Sequence, residues 1–175
     1  MKKISLLFFV TIAIFALSSC GGGSNDEGKS ELKMTQVSLA EKGIPVEFMA
    51  PEGAEIKEGL VNGNFDGVAY LNYEVTIDDF IMDVQMEDID LENDMATYLK
   101  FAKEIETTGD DFVEFVKEEE DGYIAKLKSE DGDNYAFCHI LIKDKRAIEF
   151  SEGLKLSNYT LAQIETLYNA AKAAK

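Results

Sequence analysis

Apolar residues recur along this chain in three rhythms, and each rhythm predicts a different kind of segment. From Ile4 to Leu17 the sequence is almost continuously apolar, preceded by Lys2 and Lys3. That run is too short to cross a bilayer comfortably, which takes about 20 residues. Farther on, Phe80, Met82, Val84 and Met86 alternate with Ile81, Asp83, Gln85 and Glu87. A period of two predicts a half-buried strand, and Val68 to Ile77 before it reads as a longer strand opened by Asp66-Gly67. The spacing then turns helical. Met95, Tyr98, Leu99, Ala102 and Ile105 form one apolar stripe of a helix from Asp94 to Thr107, ended by Gly109.

Strand candidates return at Phe112 to Lys117, Tyr123 to Lys128, Tyr135 to Ile142 and Ala147 to Phe150. Asp121-Gly122 and Asp131-Gly132 separate the first three, and Asp-Gly favours hairpins because glycine accepts positive φ. Upstream, Val37 to Ala40 and Val46 to Met49 read as strands around a turn at Glu41-Lys42-Gly43, with Pro45 and Pro51 marking edges. The last helix carries Leu161, Ile164, Leu167, Tyr168 and Ala171 on its buried stripe. Thr160 and Gln163 are spaced as a capping box, Tyr159 and Ile164 as a hydrophobic staple, and Lys172 and Lys175 sit near the C-terminal dipole. The pattern predicts an α+β domain over residues 34–175, a mainly antiparallel sheet flanked by two amphipathic helices.

The apolar N-terminal run ends in Leu17-Ser18-Ser19-Cys20, which resembles the lipobox of bacterial lipoproteins. The resemblance implies a signal peptide over residues 1–19, cleavage before Cys20, and acylation of that cysteine as the lipid attachment site. The acyl chains are then the membrane anchor, since no second apolar stretch is long enough to span. Gly21-Gly22-Gly23-Ser24 and Asn25-Asp26-Glu27-Gly28 have the composition of a flexible tether over residues 20–33. Gly21 after the cysteine resembles lipoproteins that leave the inner membrane. The expected address is the outer membrane, at either its periplasmic face or the cell surface.

The order strands, helix, strands, helix, together with Gly43-Ile44-Pro45-Val46-Glu47-Phe48 leading to Pro51, resembles the PsbP-like α/β/α sandwich. Members of that family mostly bind or help assemble other proteins and share no catalytic motif. The resemblance therefore implies a fold and a binding role, and no site residues.

Charge narrows the partners. Removing Lys2 and Lys3 with the signal takes the net charge from −17 to −19. No basic patch is available to neutralise phosphates, which excludes nucleic acid. Cationic peptides, basic protein faces and divalent cations remain candidates. Beyond Cys20 only Cys138 is left, so no intramolecular disulfide can form and the core must hold the fold.

Candidate chemistry is sparse. His139 is the only histidine and adjoins Cys138 within a strand, so the two side chains point to opposite faces. No Gly-x-Ser-x-Gly elbow or His-Glu-x-x-His helix occurs. Asp88, Asp90, Glu92 and Asp94 open like a calcium loop, but Asn93 holds the required glycine position and Leu99 the bidentate-glutamate position. They read better as acids at the positive end of the first helix. Glu118-Glu119-Glu120-Asp121 and Asp131-Gly132-Asp133 are expected at neighbouring hairpins, crowding one acidic rim. No catalytic residue, cofactor or defined metal ligand is expected. The sequence points to a non-enzymatic outer-membrane lipoprotein that binds or supports another envelope component. A small-molecule or divalent-cation-binding lipoprotein is the alternative, and an envelope hydrolase the third.

Overall fold

The computed structural model describes residues 33–59, 62–65, 68–87 and 95–175. The segment expected as signal peptide (residues 1–19) and most of the expected tether, with Cys20, lie outside those residues, as do the acids from Asp88 to Asp94. The domain belongs to one compact unit, Leu32–Lys175. Its strands are β1 (Met34–Ser38), β2 (Glu47–Pro51), β3 (Glu55–Glu58), β4 (Gly63–Phe65), β5 (Val68–Ile77), β6 (Phe80–Glu87), β7 (Phe112–Glu118), β8 (Gly122–Ser129), β9 (Gly132–Lys143) and β10 (Arg146–Glu152). Helix α1 spans Met95–Thr107 and α2 spans Leu161–Lys172.

The large sheet runs β3-β5-β6-β10-β9-β8-β7, with β4 beside β3 on the same edge of β5, and every pairing is antiparallel. β1 and β2 form a separate two-stranded ribbon. Period-two alternation on β6 sends Phe80, Met82, Val84 and Met86 to the first face, as the sequence predicts. There they join Val75, Phe150, Phe137 and Ile124 of the neighbouring strands, Leu39 to Ala50 of the ribbon segment, and Ile164, Leu167 and Tyr168 of α2. The second face carries Tyr123, Ala125, Cys138, Ile140 and Ala147, which pack with Leu99 of α1. The two helices therefore cover opposite faces.

Helix α2 begins as its sequence dictates. Thr160 Oγ1 accepts the Gln163 N–H at 3.3 Å, and Gln163 Oε1 accepts the Thr160 N–H at 3.0 Å. Tyr159 and Ile164, the expected staple, lie buried in one core cluster. At the other end the chain terminus extends the ribbon, with Glu47 N–H donating to Lys175 O and Lys175 N–H to Glu47 O.

Four expectations change. The segment expected as a strand to Ala40 ends at Ser38, and Ala40–Lys42 forms one 3-10 turn closed by Gly43 at φ 94°. β3 and β4 were not expected; Glu55-Ile56-Lys57-Glu58 holds one apolar residue, too few to show a period. Ile105 stands 58% exposed, because only Leu99 of the α1 stripe is fully buried and the helix outruns the apolar patch beneath it. The two acidic turns do not share a rim. They lie at opposite ends of β8, since successive hairpins of an antiparallel meander alternate between the two ends of the sheet.

Candidate functional site

On β5 and β6 the second face carries Asn72, Glu74, Thr76, Ile81, Asp83, Gln85 and Glu87, and β10 adds Glu149 and Ser151. Register brings these groups together. Glu74 is directly opposite Asp83, and Asp83 is opposite Ser151 on its other flank. Burial, and then the Glu74 charge, push the Asp83 carboxyl up to about 6. Glu149 is also pushed up, by burial and then by Glu87 and Glu106. Burial, and then the charges of Glu149 and Glu87, raise the phenol of Tyr98 on α1. The helix side of the cluster is tied down where the Tyr123 hydroxyl donates to Glu106 Oε2 at 3.1 Å.

Such a surface has definite chemistry. Burial and neighbouring charge favour the protonated carboxyl at Asp83 and Glu149, and a cationic guest favours the ionised form while relieving the repulsion. Among the described residues, no group of three or more histidine, cysteine, aspartate or glutamate side chains is arranged to hold a metal ion. The cluster thus presents charge over a strand face without converging on one point.

Glu152 belongs to the other face, opposite Met82. The β9–β10 ladder ends at Cys138 opposite Ser151, and the Glu152 carboxylate then accepts the Phe137 N–H at 2.8 Å, continuing the ladder with a side chain. Burial pushes that carboxyl up to about 8.

His139 and Cys138 point to opposite faces, as alternation requires. Cys138 is buried beneath α1, where desolvation raises its thiol. His139 is only 4% exposed, sits between the Phe150 and Tyr168 rings, and its Nδ1 makes no hydrogen bond. Its nearest acid is Asp121, with Oδ2 3.9 Å from Nδ1. Burial depresses the imidazole more than the Asp121 charge raises it. In the same turn Glu119 accepts from the Tyr168 hydroxyl at 2.9 Å and from Lys172, and Lys117 lies 3.3 Å away. These contacts hold the Glu119 carboxyl down at about 2 and lock the turn to α2. On the opposite rim Asp133 pairs with Lys126 at 2.8 Å. Both turns, picked out as acidic clusters, have cations of their own.

An open groove of about 810 Å³ runs between α1 and the β7–β8 turn, past Leu99, Lys100, Lys103, Glu104 and Glu120. Its charges are largely self-paired, Lys100 with Glu104 and Lys103 with Glu118. The sequence reading missed Glu74, Asp83 and Glu149 as a group. Each was placed on a strand, and only register brings them together.

Comparison with known proteins gives no match to a family model, a curated protein or a solved structure.

Proposed function

We propose that this chain is a non-enzymatic lipoprotein, anchored through Cys20 to the outer membrane, whose domain binds a basic face of another envelope protein on its second sheet face. The observation that carries the binding reading is the Glu74–Asp83 pair. Like charges directly opposite on neighbouring strands destabilise a sheet, so a fold that holds them there gives up stability. Locally costly arrangements of this kind cluster at sites of function. A basic partner offsets the cost on docking, and charge complementarity sets partner choice and encounter rate more than raw affinity. The lipobox supports the anchor. Element order, with helices on opposite faces, supports reading the fold as a PsbP-like sandwich.

In-cell crosslinking of the anchored protein, followed by mass spectrometry, tests the binding. Wild type should capture one basic envelope protein in a salt-sensitive manner, and the Glu74→Gln/Asp83→Asn double variant should lose it while folding at least as stably. Equal capture by the double variant contradicts the proposed face. Cys20→Ala tests the anchor separately: it should release the folded protein from the membrane, and retention of that variant removes the lipoprotein reading.

A further inference from the structure

The loop that joins β10 to α2 exposes two leucines on a rigid frame. Leu154 is 74% exposed and Leu156 109%, the most exposed large apolar side chains among the described residues. Between them Lys155 folds back, its Nζ 4.1 Å from the Tyr159 ring centroid and 3.3 Å from Gln163 Oε1. The loop is pinned at both ends. At its start Gly153 N–H donates to Ile81 O at 2.9 Å, and the Tyr159 hydroxyl donates to Gly153 O at 2.7 Å. At its end Tyr159 N–H donates to Asn134 Oδ1 at 2.7 Å, and Asn158 Nδ2 donates to Ser129 Oγ at 2.6 Å. The leucines are thus held outward by a fixed scaffold.

Their place in the fold identifies what covers them. The chain enters the domain at Lys33, whose carbonyl accepts the Glu52 N–H at 2.7 Å. A Cβ on the next residue, Gly53, would stand 3.8 Å from Ile77, the last residue of β5, and Gly153 is hydrogen-bonded to Ile81 at the start of β6. Ile77 is opposite Phe80 across the β5–β6 turn. Chain entry and leucine loop therefore rest on the same hairpin, at the same rim of the sheet. Twelve residues stand between Cys20 and Lys33, and a Gly/Ser-rich chain of that length has a typical end-to-end distance of roughly 20 Å.

We propose that Leu154 and Leu156 insert into the surface of the bilayer that carries the anchor. The proposal rests on acylation of Cys20. Two leucines are too few to hold a protein on a membrane alone, but a short tether gives the loop an effective concentration of millimolar order. Asp78 and Asp79, exposed on the supporting hairpin, repel an anionic surface, so the fitting occupant is a zwitterionic lipid face.

The chain contains no tryptophan, so one indole reports cleanly. Leu156→Trp is expressed as the full chain, purified from membranes, checked by mass for acyl chains on Cys20, and reconstituted into phosphatidylcholine vesicles with brominated acyl chains. The expected result is blue-shifted emission that bromine quenches strongly, lost on adding Leu154→Asp. Glu120→Trp, on the opposite rim, should stay unshifted and unquenched. Acylated protein whose indole at the loop stays solvent-like overturns the proposal and leaves the anchor standing. A blue shift without bromine quenching overturns it in favour of a second copy or a protein partner. Absence of acyl mass on Cys20 removes anchor and proposal together.

Discussion

Glu74 and Asp83 face each other across the β5–β6 ladder, two carboxylates on one side of the sheet. Asp83 responds by holding its proton up to about pH 6, against an ordinary value of 3.8. A raised carboxyl favours the folded state only while protonated, so its penalty grows as pH climbs from about 4 towards 6 and is complete above that. Glu74→Gln should therefore stabilise the free domain at pH 7.5 by about 0.5 kcal/mol. The gain should shrink towards pH 4, and denaturant melts at the two pH values check it. It should also be partial, because burial, the larger cause of the shift, remains.

Glu152 gives a stronger pH signature on the other face. Its folded value of about 8 lies above the ordinary 4.5, so ionisation costs stability progressively as pH rises between the two. Glu152→Gln keeps an oxygen for the Phe137 N–H and removes the charge. The variant should match wild type near pH 4 and melt at a higher temperature at pH 8.5. A constant difference across that range would mean that Glu152 is solvated as an ordinary carboxylate.

His139 works in the opposite direction. Its folded value is depressed, chiefly by burial, so the unfolded chain takes up a proton first as pH falls through about 6.5. Asp121, Glu119 and Lys172 are the charges facing it. Wild type should lose stability relative to His139→Gln as pH drops below 6.5. Comparing the two proteins at each pH cancels the carboxylates common to both. A difference that stays flat from pH 7.5 to 5 would show that the imidazole protonates freely in the fold.

Gly122 sets the approach of the β7–β8 turn to α2. A Cβ there would lie 2.3 Å from the Cys138 carbonyl oxygen and 3.0 Å from the Tyr168 ring. Backbone on one side and a buried aromatic on the other leave little room to yield. Gly122→Ala should cost about 1–3 kcal/mol in a denaturant melt, the range for overpacking a core.

Much of this fold was legible in the sequence where a segment was long and its period strong. The β6 alternation put Phe80, Met82, Val84 and Met86 inside, and the α2 stripe, capping box and staple residues lie where spacing placed them. Short elements were not legible, because β3 and β4 span too few residues to display a period. Ile105 misled because helical spacing shows which face is apolar, not how far the sheet extends beneath it. The carboxylate face was within reach. Two adjacent strands separated only by Asp78-Asp79 set Ile77 opposite Phe80, and counting back three places puts Glu74 opposite Asp83. Taking the acids as surface turns drew attention to Glu118–Asp121 instead, whose Glu119 is tied to Lys172 and Tyr168.

The most direct measurement replaces Gln85, beside Asp83 on the same strand and face, with a photo-crosslinking residue in the membrane-anchored protein. Illumination in cells should trap one basic envelope protein. Raising salt should weaken that capture, and so should Glu74→Gln/Asp83→Asn. A crosslinker at Gln85 that traps nothing, while the same probe at Glu120 captures a partner, would contradict the account and move the binding surface to the opposite rim.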